Sequence, residues 1–383
     1  MTTKMTPMQR QYHEMKQEVG EAILLFRLGD FYEMFYDDAI ESSKLLGLTL
    51  TARGKGSDNE MPMCGMPYHA SEKYINALSQ AGKKVAICDQ VSDPTLPGIV
   101  KREIVQIITP GTILSGQIQD EKSSNYICAV SEKNNVFGLA SMDVSTGEFR
   151  ACFLPRFEDL MNELSKISPS EIILNKKSLI IQDCETVSQH ISFWFSLPNP
   201  EEFVKKFFSL PNLSLFYLEN EPEVVSAAAM LIDYVNDTQK GKTNHITSIT
   251  KYNITDTLPI DMMTLRNLEV FQTMHEGKKD GSLLSVIDKT QSAAGGRMLK
   301  QILLNPLQNL EKIKERLNQV KKYKTKNSER NILQALLSEI YDIERILSKI
   351  SSGRANPKDI LALNESFKKI PEIQKLSHNI LSS

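Results

Sequence analysis

The sequence predicts a multidomain protein, α/β in its first two parts and all-α in its third. Three observations carry this. Residues 1–115 mix strand and helix spacings. Residues 116–255 open with three consecutive strand-like runs, followed by a helical run and another strand. Residues 256–383 repeat their apolar positions at three and four only. At roughly 100–200 residues per domain, 383 residues leave room for such a division.

The elements follow in order. A polar helical opening leads to the apolar run Ala22 to Phe26. Asp38 with Glu41 three residues later has capping-box spacing, which predicts a helix that ends at Leu46-Gly47. Residues 53–60 read as a loop, and Ser71 as the cap of a second helix closing at Ala81-Gly82. Lys84 to Cys88 and Ile104 to Ile108 read as strands. These make a small mixed α/β domain over 1–115.

In the second part, Tyr126 to Val130, Val136 to Val144 and Glu148 to Phe153 read as a meander, turning at 132–135 and 145–147. Phe157, Leu160, Leu164 and Ile167 then mark a helix, and 169–174 returns as a strand. A meander, a crossover helix and a strand begin a ribonuclease-H-like topology. Residues 223–235 read as helix. In the third part Leu310, Ile313, Leu317 and Val320 form one stripe, Ile343, Ile346 and Ile350 a second, and Ile360, Leu363, Phe367 and Ile370 a third. Pro306, Pro357 and Pro371 are expected to punctuate them. Each stripe is narrow and calls for a partner helix, so the ending at Leu381-Ser-Ser reads as a cut through an unfinished helical domain.

Composition excludes several classes. Apolar residues make up 41% and charged residues 24%, ordinary globular usage. No apolar run approaches the ~20 residues of a membrane span, and the N-terminus has no apolar signal core. Five scattered cysteines without CxxC spacing argue against disulfides or a zinc site and fit a reducing, cytoplasmic setting. The net charge of −2 divides as −3 over 1–120, −5 over 121–255 and +6 over 256–383. Bulk charge therefore gives no argument for nucleic acid in the first two-thirds.

Chemical motifs are mostly absent. Gly241-Lys242-Thr243 resembles the end of a P-loop, but Asn236 stands where the leading glycine belongs. Gly54-Lys55-Gly56 fails as well. The six histidines are isolated. Asp143 sits where a ribonuclease-H-like nuclease would place a metal-binding carboxylate, yet two-metal chemistry needs several that converge, so a turn-capping role is the simpler expectation. The most unusual unit is Gly29-Asp-Phe-Tyr-Glu-Met-Phe-Tyr-Asp-Asp38. As a strand it places Tyr32, Met34 and Tyr36 on one face and Phe31, Glu33 and Phe35 on the other. If one face is core, the other presents an aromatic ring beside a carboxylate. A ring can wedge into a base stack. A carboxyl can donate to a base only when protonated.

Several segments carry a family resemblance: FRLGDFYEMFYDDA (26–39), TARG (51–54), MPMCGMPYHA (61–70), VAICDQ (85–90) and IITPGT (107–112). They closely resemble the mismatch-binding domain of the bacterial MutS family of DNA mismatch repair proteins. DVSTGEF (143–149) resembles its connector domain. LRNLEV (265–270), SVIDKTQSAAGGRMLK (285–300), LNPL (304–307) and DIERILSKIS (342–351) resemble the start of its helical lever domain.

The resemblance implies that Phe31 stacks on a mispaired base from the minor groove, that Glu33 hydrogen-bonds it, and that Tyr32 packs inside. It implies loop contacts to DNA from Arg53, Lys55, Met66, Tyr68 and His69. The implied partners are duplex DNA with a mismatch or small loop, and MutL through the connector surface. In the family, ATP and Mg belong to a C-terminal ATPase domain that also makes the homodimer. Neither that domain nor the family's clamp is matched here, so the chain is expected to be a monomer without cofactor, metal or catalytic residues. A metal-dependent nuclease and a non-specific DNA or protein interaction module are the rival expectations.

Overall fold

A computed structural model describes residues 5–54, 60–92, 100–113, 120–175, 178, 180–188 and 190–382. The chain forms two compact units, 1–117 with 233–243, and 118–232 with 244–383.

The first unit contains α1 (Pro7–Val19), β1 (Ile23–Leu28), β2 (Phe31–Phe35), α2 (Tyr36–Leu46), β3 (Thr51–Arg53), β4 (Met61–Pro67), α3 (Ser71–Gln80), β5 (Val85–Gln90) and β6 (Arg102–Ile108). Its sheet has the order β3-β4-β2-β1-β5-β6, antiparallel except for the β1–β5 pair. Ile23, Leu25, Tyr32, Met34, Cys64 and Met66 bury one face together with Ala39, Ile75 and Leu78 from α2 and α3. The opposite face buries Leu24, Phe26, Phe35, Met61 and Cys88 with Tyr12 of α1. Strand alternation thus sends successive residues of β1 and β2 into two different cores.

Several expected details change. Asp38 does not cap α2. The helix starts at Tyr36, directly after β2, and Tyr36 takes φ 53° rather than continuing the strand. Asp38 turns inward from the first turn instead: its carboxylate accepts from the Leu24 amide at 3.0 Å and from Lys16 Nζ at 2.8 Å, with the Tyr12 hydroxyl 3.3 Å away. The capping box lies at α1, where the Thr6 hydroxyl accepts from the Gln9 amide and Gln9 Oε1 accepts from the Thr6 amide. Ser71 is the first residue of α3 and donates to the Tyr68 carbonyl at 2.7 Å. Met66, expected among loop contacts, lies instead within the strand Met61–Pro67, because β2 and β3 pair with its two edges. Residues 233–243 gather with this unit: Gln106 Nε2 donates to Gln239 Oε1 at 2.6 Å, both side chains buried.

The second unit opens with β7 (Ile127–Lys133), β8 (Val136–Asp143), β9 (Glu148–Leu154), α4 (Phe157–Ile167), β10 (Glu171–Leu174), α5 (Ile181–Glu185), β11 (Ile191–Phe193), α6 (Pro200–Phe208), α7 (Pro222–Thr238, whose residues from 233 onward group with the first unit) and β12 (Thr250–Lys251). The sheet order is β11-β10-β7-β8-β9-β12, with the β7–β8–β9 meander antiparallel and β10 parallel to both β7 and β11. β8 is buried on both faces, which explains its nearly unbroken apolar run. Gly138 matters here: a Cβ would lie 2.2 Å from the Glu223 backbone, so the start of α7 sits directly on the strand.

The helical remainder comprises α8 (Met262–Asn267), α9 (Leu283–Ile287), α10 (Ala293–Leu304), α11 (Leu310–Thr325), α12 (Asn327–Ser338), α13 (Ile343–Ser351) and α14 (Pro357–Ser382). Asp261, Ser282, Ser292, Asn309 and Asp342 each accept a backbone amide at an N-terminus. Pro371 lies inside α14 rather than ending it. It is exposed, so water can satisfy the carbonyl left without a helical donor. Of the expected stripes, Ile346 is buried, while Leu310, Leu317, Val320, Ile360 and Phe367 stay exposed among the described residues.

Arg297 of α10 is buried and binds Asp342 with both terminal nitrogens, at 2.6 and 2.9 Å, then reaches Glu344 at 2.6 Å and the Glu121 carbonyl at 3.0 Å. Arg345 donates to the Ser123 carbonyl, and the Ser348 hydroxyl to the Val144 carbonyl at 3.2 Å. These bonds fasten the segment before β7, and the end of β8, to the helices.

Replacing Asp38 by alanine should destabilise the first unit by roughly 3 kcal/mol, because the Leu24 amide and the Lys16 ammonium lose a buried acceptor. Denaturant unfolding, with hydrogen exchange at Leu24, checks this; an unchanged Leu24 protection would contradict it.

Candidate nucleic-acid interface

β1 and β2 are joined by the two residues Gly29-Asp30, with Leu28 facing Phe31 in register. Gly29 has φ 58° and Asp30 has a negative φ, the pattern of a II′ hairpin turn, which needs glycine first. This tight turn sets the register of β2. Tyr32 and Met34 go into one core, and Phe31, Glu33 and Phe35 onto the opposite face.

On that opposite face Phe35 is buried beneath Tyr12, their rings 5.1 Å apart and edge to face. The cover thins toward the hairpin turn: Phe31 is 45% exposed and Glu33 is half-buried. The expected pairing of an exposed aromatic with a neighbouring carboxylate is therefore present, while Phe35 is core. Tyr32 packs as expected. Its hydroxyl donates to Asp89 Oδ2 at 3.0 Å, and burial, then the Asp89 charge, raises its pKa.

Glu33 faces Gly65 across β4. A Cβ on Gly65 would stand 3.3 Å from Glu33 Cγ and 3.1 Å from the Tyr32 carbonyl oxygen, so the bare glycine clears the space the glutamate occupies. Arg53, the last residue of β3, places Nη1 3.2 Å from Glu33 Oε2. Burial raises the Glu33 carboxyl above its ordinary pKa, and the Arg53 charge and hydrogen bond oppose that rise.

Tyr68 and His69 follow β4 in a short 3-10 turn, both exposed. Tyr68 is tied to the hairpin, because its amide donates to the Asp30 carbonyl at 2.9 Å. The Arg27 guanidinium stacks 3.6 Å from the Tyr68 ring centroid, a cation–π contact. Met66 is fully buried in the α2/α3 core, so it shapes this surface from beneath and presents nothing to a ligand. Lys55 lies outside the described residues.

Phe31, Glu33, Tyr68 and His69 thus gather about the β1–β2 hairpin, Arg53 reaches Glu33 from the far end of β4, and Met66 does not join them. Sequence reasoning missed Gly65 and Arg27. A glycine within a strand signals close approach, so Gly65 was open to detection. Nothing local marks Arg27 as the partner of Tyr68.

Asp143 is fully buried, and burial raises its pKa against the pull of its hydrogen bonds. It accepts from the Ser145 amide at 2.9 Å, the Ser145 hydroxyl at 2.6 Å and the Asn125 amide at 3.1 Å. Its oxygens hold a turn. No group of three metal-ligating side chains occurs among the described residues. All five cysteines are buried free thiols, and no described helix is long and apolar enough to cross a membrane.

Residues 6–117 match the family model of MutS domain I, 125–247 that of MutS domain II, and 263–383 that of MutS domain III. A protein with these three domains in this order is a mismatch repair family protein in its architecture, and the chain belongs to the MutS family. It is 38% identical to the DNA mismatch repair protein MutS of Acetivibrio thermocellus, across 98% of this chain and 44% of that protein. It is 40% identical to the protein of that name from Clostridioides difficile, across 97% and 40%, and 41% identical to that of Clostridium kluyveri, across 99% and 44%. The chain spans less than half the length of these relatives.

Gly65→Ala should displace the Glu33 side chain and cost about 1–3 kcal/mol by overpacking. Thermal unfolding and the NMR shifts of Glu33 check it; an unshifted Glu33 would show that β4 absorbs the methyl group.

Proposed function

We propose that this chain recognises mispaired or unpaired bases in duplex DNA. The observation that carries this is an exposed phenylalanine beside a half-buried glutamate, on a sheet face that is otherwise core. Nearly half of the Phe31 surface is left open to solvent there. The ring is suited to wedge between bases from the minor groove, where a mispair stacks poorly and bends at low cost. Glu33 then meets the edge of the stacked base. Its raised pKa favours the protonated form that can donate. Arg53, Lys55, Tyr68 and His69 contribute contacts to the backbone, which carry affinity without sequence information.

The finer architecture belongs to the same proposal. The strand order β9-β8-β7-β10-β11, a meander followed by parallel strands, supports a ribonuclease-H-like connector. The helices from α8 onward fit the start of a lever domain. ATP and Mg binding, homodimer formation and MutL recruitment are activities of longer family members. This chain contributes the reader and, through the connector, a surface for MutL. By itself it is a cytoplasmic, nucleoid-associated monomer with no nucleotide site among the described residues. The turn at Gly241-Lys242-Thr243 supports that last point, because the Thr243 hydroxyl is spent on Asn236 Oδ1 at 3.3 Å.

Phe31→Ala should remove the preference for a G·T duplex over its matched control while weak binding to both persists. One base–aromatic stack is worth about 1–3 kcal/mol, a factor of roughly five to 150. Fluorescence anisotropy at low salt measures it. A variant that keeps the full preference would show that Phe31 is not the wedge.

A further inference from the structure

One feature of this surface has a use that mismatch reading does not require: the Arg53–Glu33 contact. Both residues lie on the partly covered face. Arg53 registers with Met61, and Glu33 with Gly65, on the same strand β4. These positions are four residues apart along β4, so the two side chains meet only by reaching toward each other. The contact runs from a single guanidinium nitrogen to a single carboxylate oxygen, 3.2 Å apart. Strong charge-assisted bonds are shorter, about 2.7–2.9 Å, and bidentate when arginine has the choice. The Arg53 side chain is 45% exposed, against 18% for Glu33. The pair is therefore weak and easily opened from the arginine side.

We infer that Arg53 is a positioning residue shared between two anions: it holds and neutralises Glu33 in the unbound protein, and a DNA phosphate takes it over when duplex arrives. This rests on the proposal that duplex DNA lies on this face. The chemistry has one guanidinium and two claimants. In the free protein the carboxylate is the nearer. Against duplex, phosphates offer a dense anionic lattice that releases counterions on binding. Transfer of Arg53 frees Glu33 to turn toward the base and removes the positive charge that opposes its protonation. Its neighbours on the flanking strands, Phe26 of β1 and Gly65 of β4, carry no charge, so among the described residues Arg53 is the charged group in contact. The wedge and the carboxyl are then deployed in order: backbone contact first, base contact second.

Two measurements test this. Carbon-13 NMR of the chain without DNA should show the Glu33 carboxyl titrating at higher pH in Arg53→Ala than in the unaltered chain, with Arg53→Lys between them. An identical midpoint would overturn the pairing. Binding to a matched duplex at low salt should then be compared for the unaltered chain, Glu33→Gln, Arg53→Ala and the double variant. Glu33→Gln should tighten matched binding about two- to fivefold when Arg53 is present, since the guanidinium no longer has to be detached. That gain should be smaller in the Arg53→Ala background. If it is equal or larger there, only repulsion between Glu33 and phosphate is at work, and the exchange is wrong. Both side chains reach the surface, so the variants should fold, and a thermal melt confirms it. The matched duplex decides this inference even if the unaltered chain shows no preference for G·T, an outcome that would count against mismatch reading instead.

Discussion

A strand has two faces, and the surface of the first unit depends on how differently the two faces of β2 are covered. Tyr32 and Met34 lie under α2 and α3 and are almost fully buried. On the other side α1 supplies the cover through Tyr12, which reaches Phe35 but leaves Phe31 exposed. Two residues along one strand, with side chains of the same type, therefore have opposite fates. Phe35 becomes core, and Phe31 becomes available for contact with something outside the chain.

Electrostatics follow from the same geometry. Asp38 and Glu33 are both acids close to β2, yet they differ in purpose. Asp38 is buried and accepts from a backbone amide and a lysine, which fixes α1, β1 and α2 together. Glu33 is half-buried, and among the described residues its charged contact is with an exposed arginine. A buried acid with several donors is held in one state. An acid at a boundary with a single movable partner can exist in two. The first serves the fold, and the second serves the site.

The second unit uses polar contacts in another way. Its sheet buries β8 on both sides, and its helices carry an arginine network that grips main-chain carbonyls at 121 and 123. Removing one partner of such a buried ion pair leaves a charge without compensation, which is far more costly than the net worth of the pair. Asp143 belongs to this region. Its buried carboxylate holds the turn after β8, so the position that would suit a nuclease carboxylate is taken by architecture.

Local pattern alone determined much of this. The period-2 alternation placed Phe31 and Glu33 on one face and Tyr32 on the other. The spacings of three and four located α4, α11, α13 and α14. Glycines ended α2 and α3 where expected. These features depend on neighbours a few residues away, which a sequence displays directly. What the tertiary structure decided depends on pairing between distant segments. β2 and β3 pair on either side of Met61–Pro67, which placed Met66, expected among loop contacts, in a strand and buried it. Asp38 became an anchor because the Leu24 amide and Lys16 approach it from other elements. Arg53 found Glu33 across β4, from a register four residues along that strand. In each case a residue's role was set by the side chain or backbone that long-range register brings beside it, and a one-dimensional pattern does not contain that register.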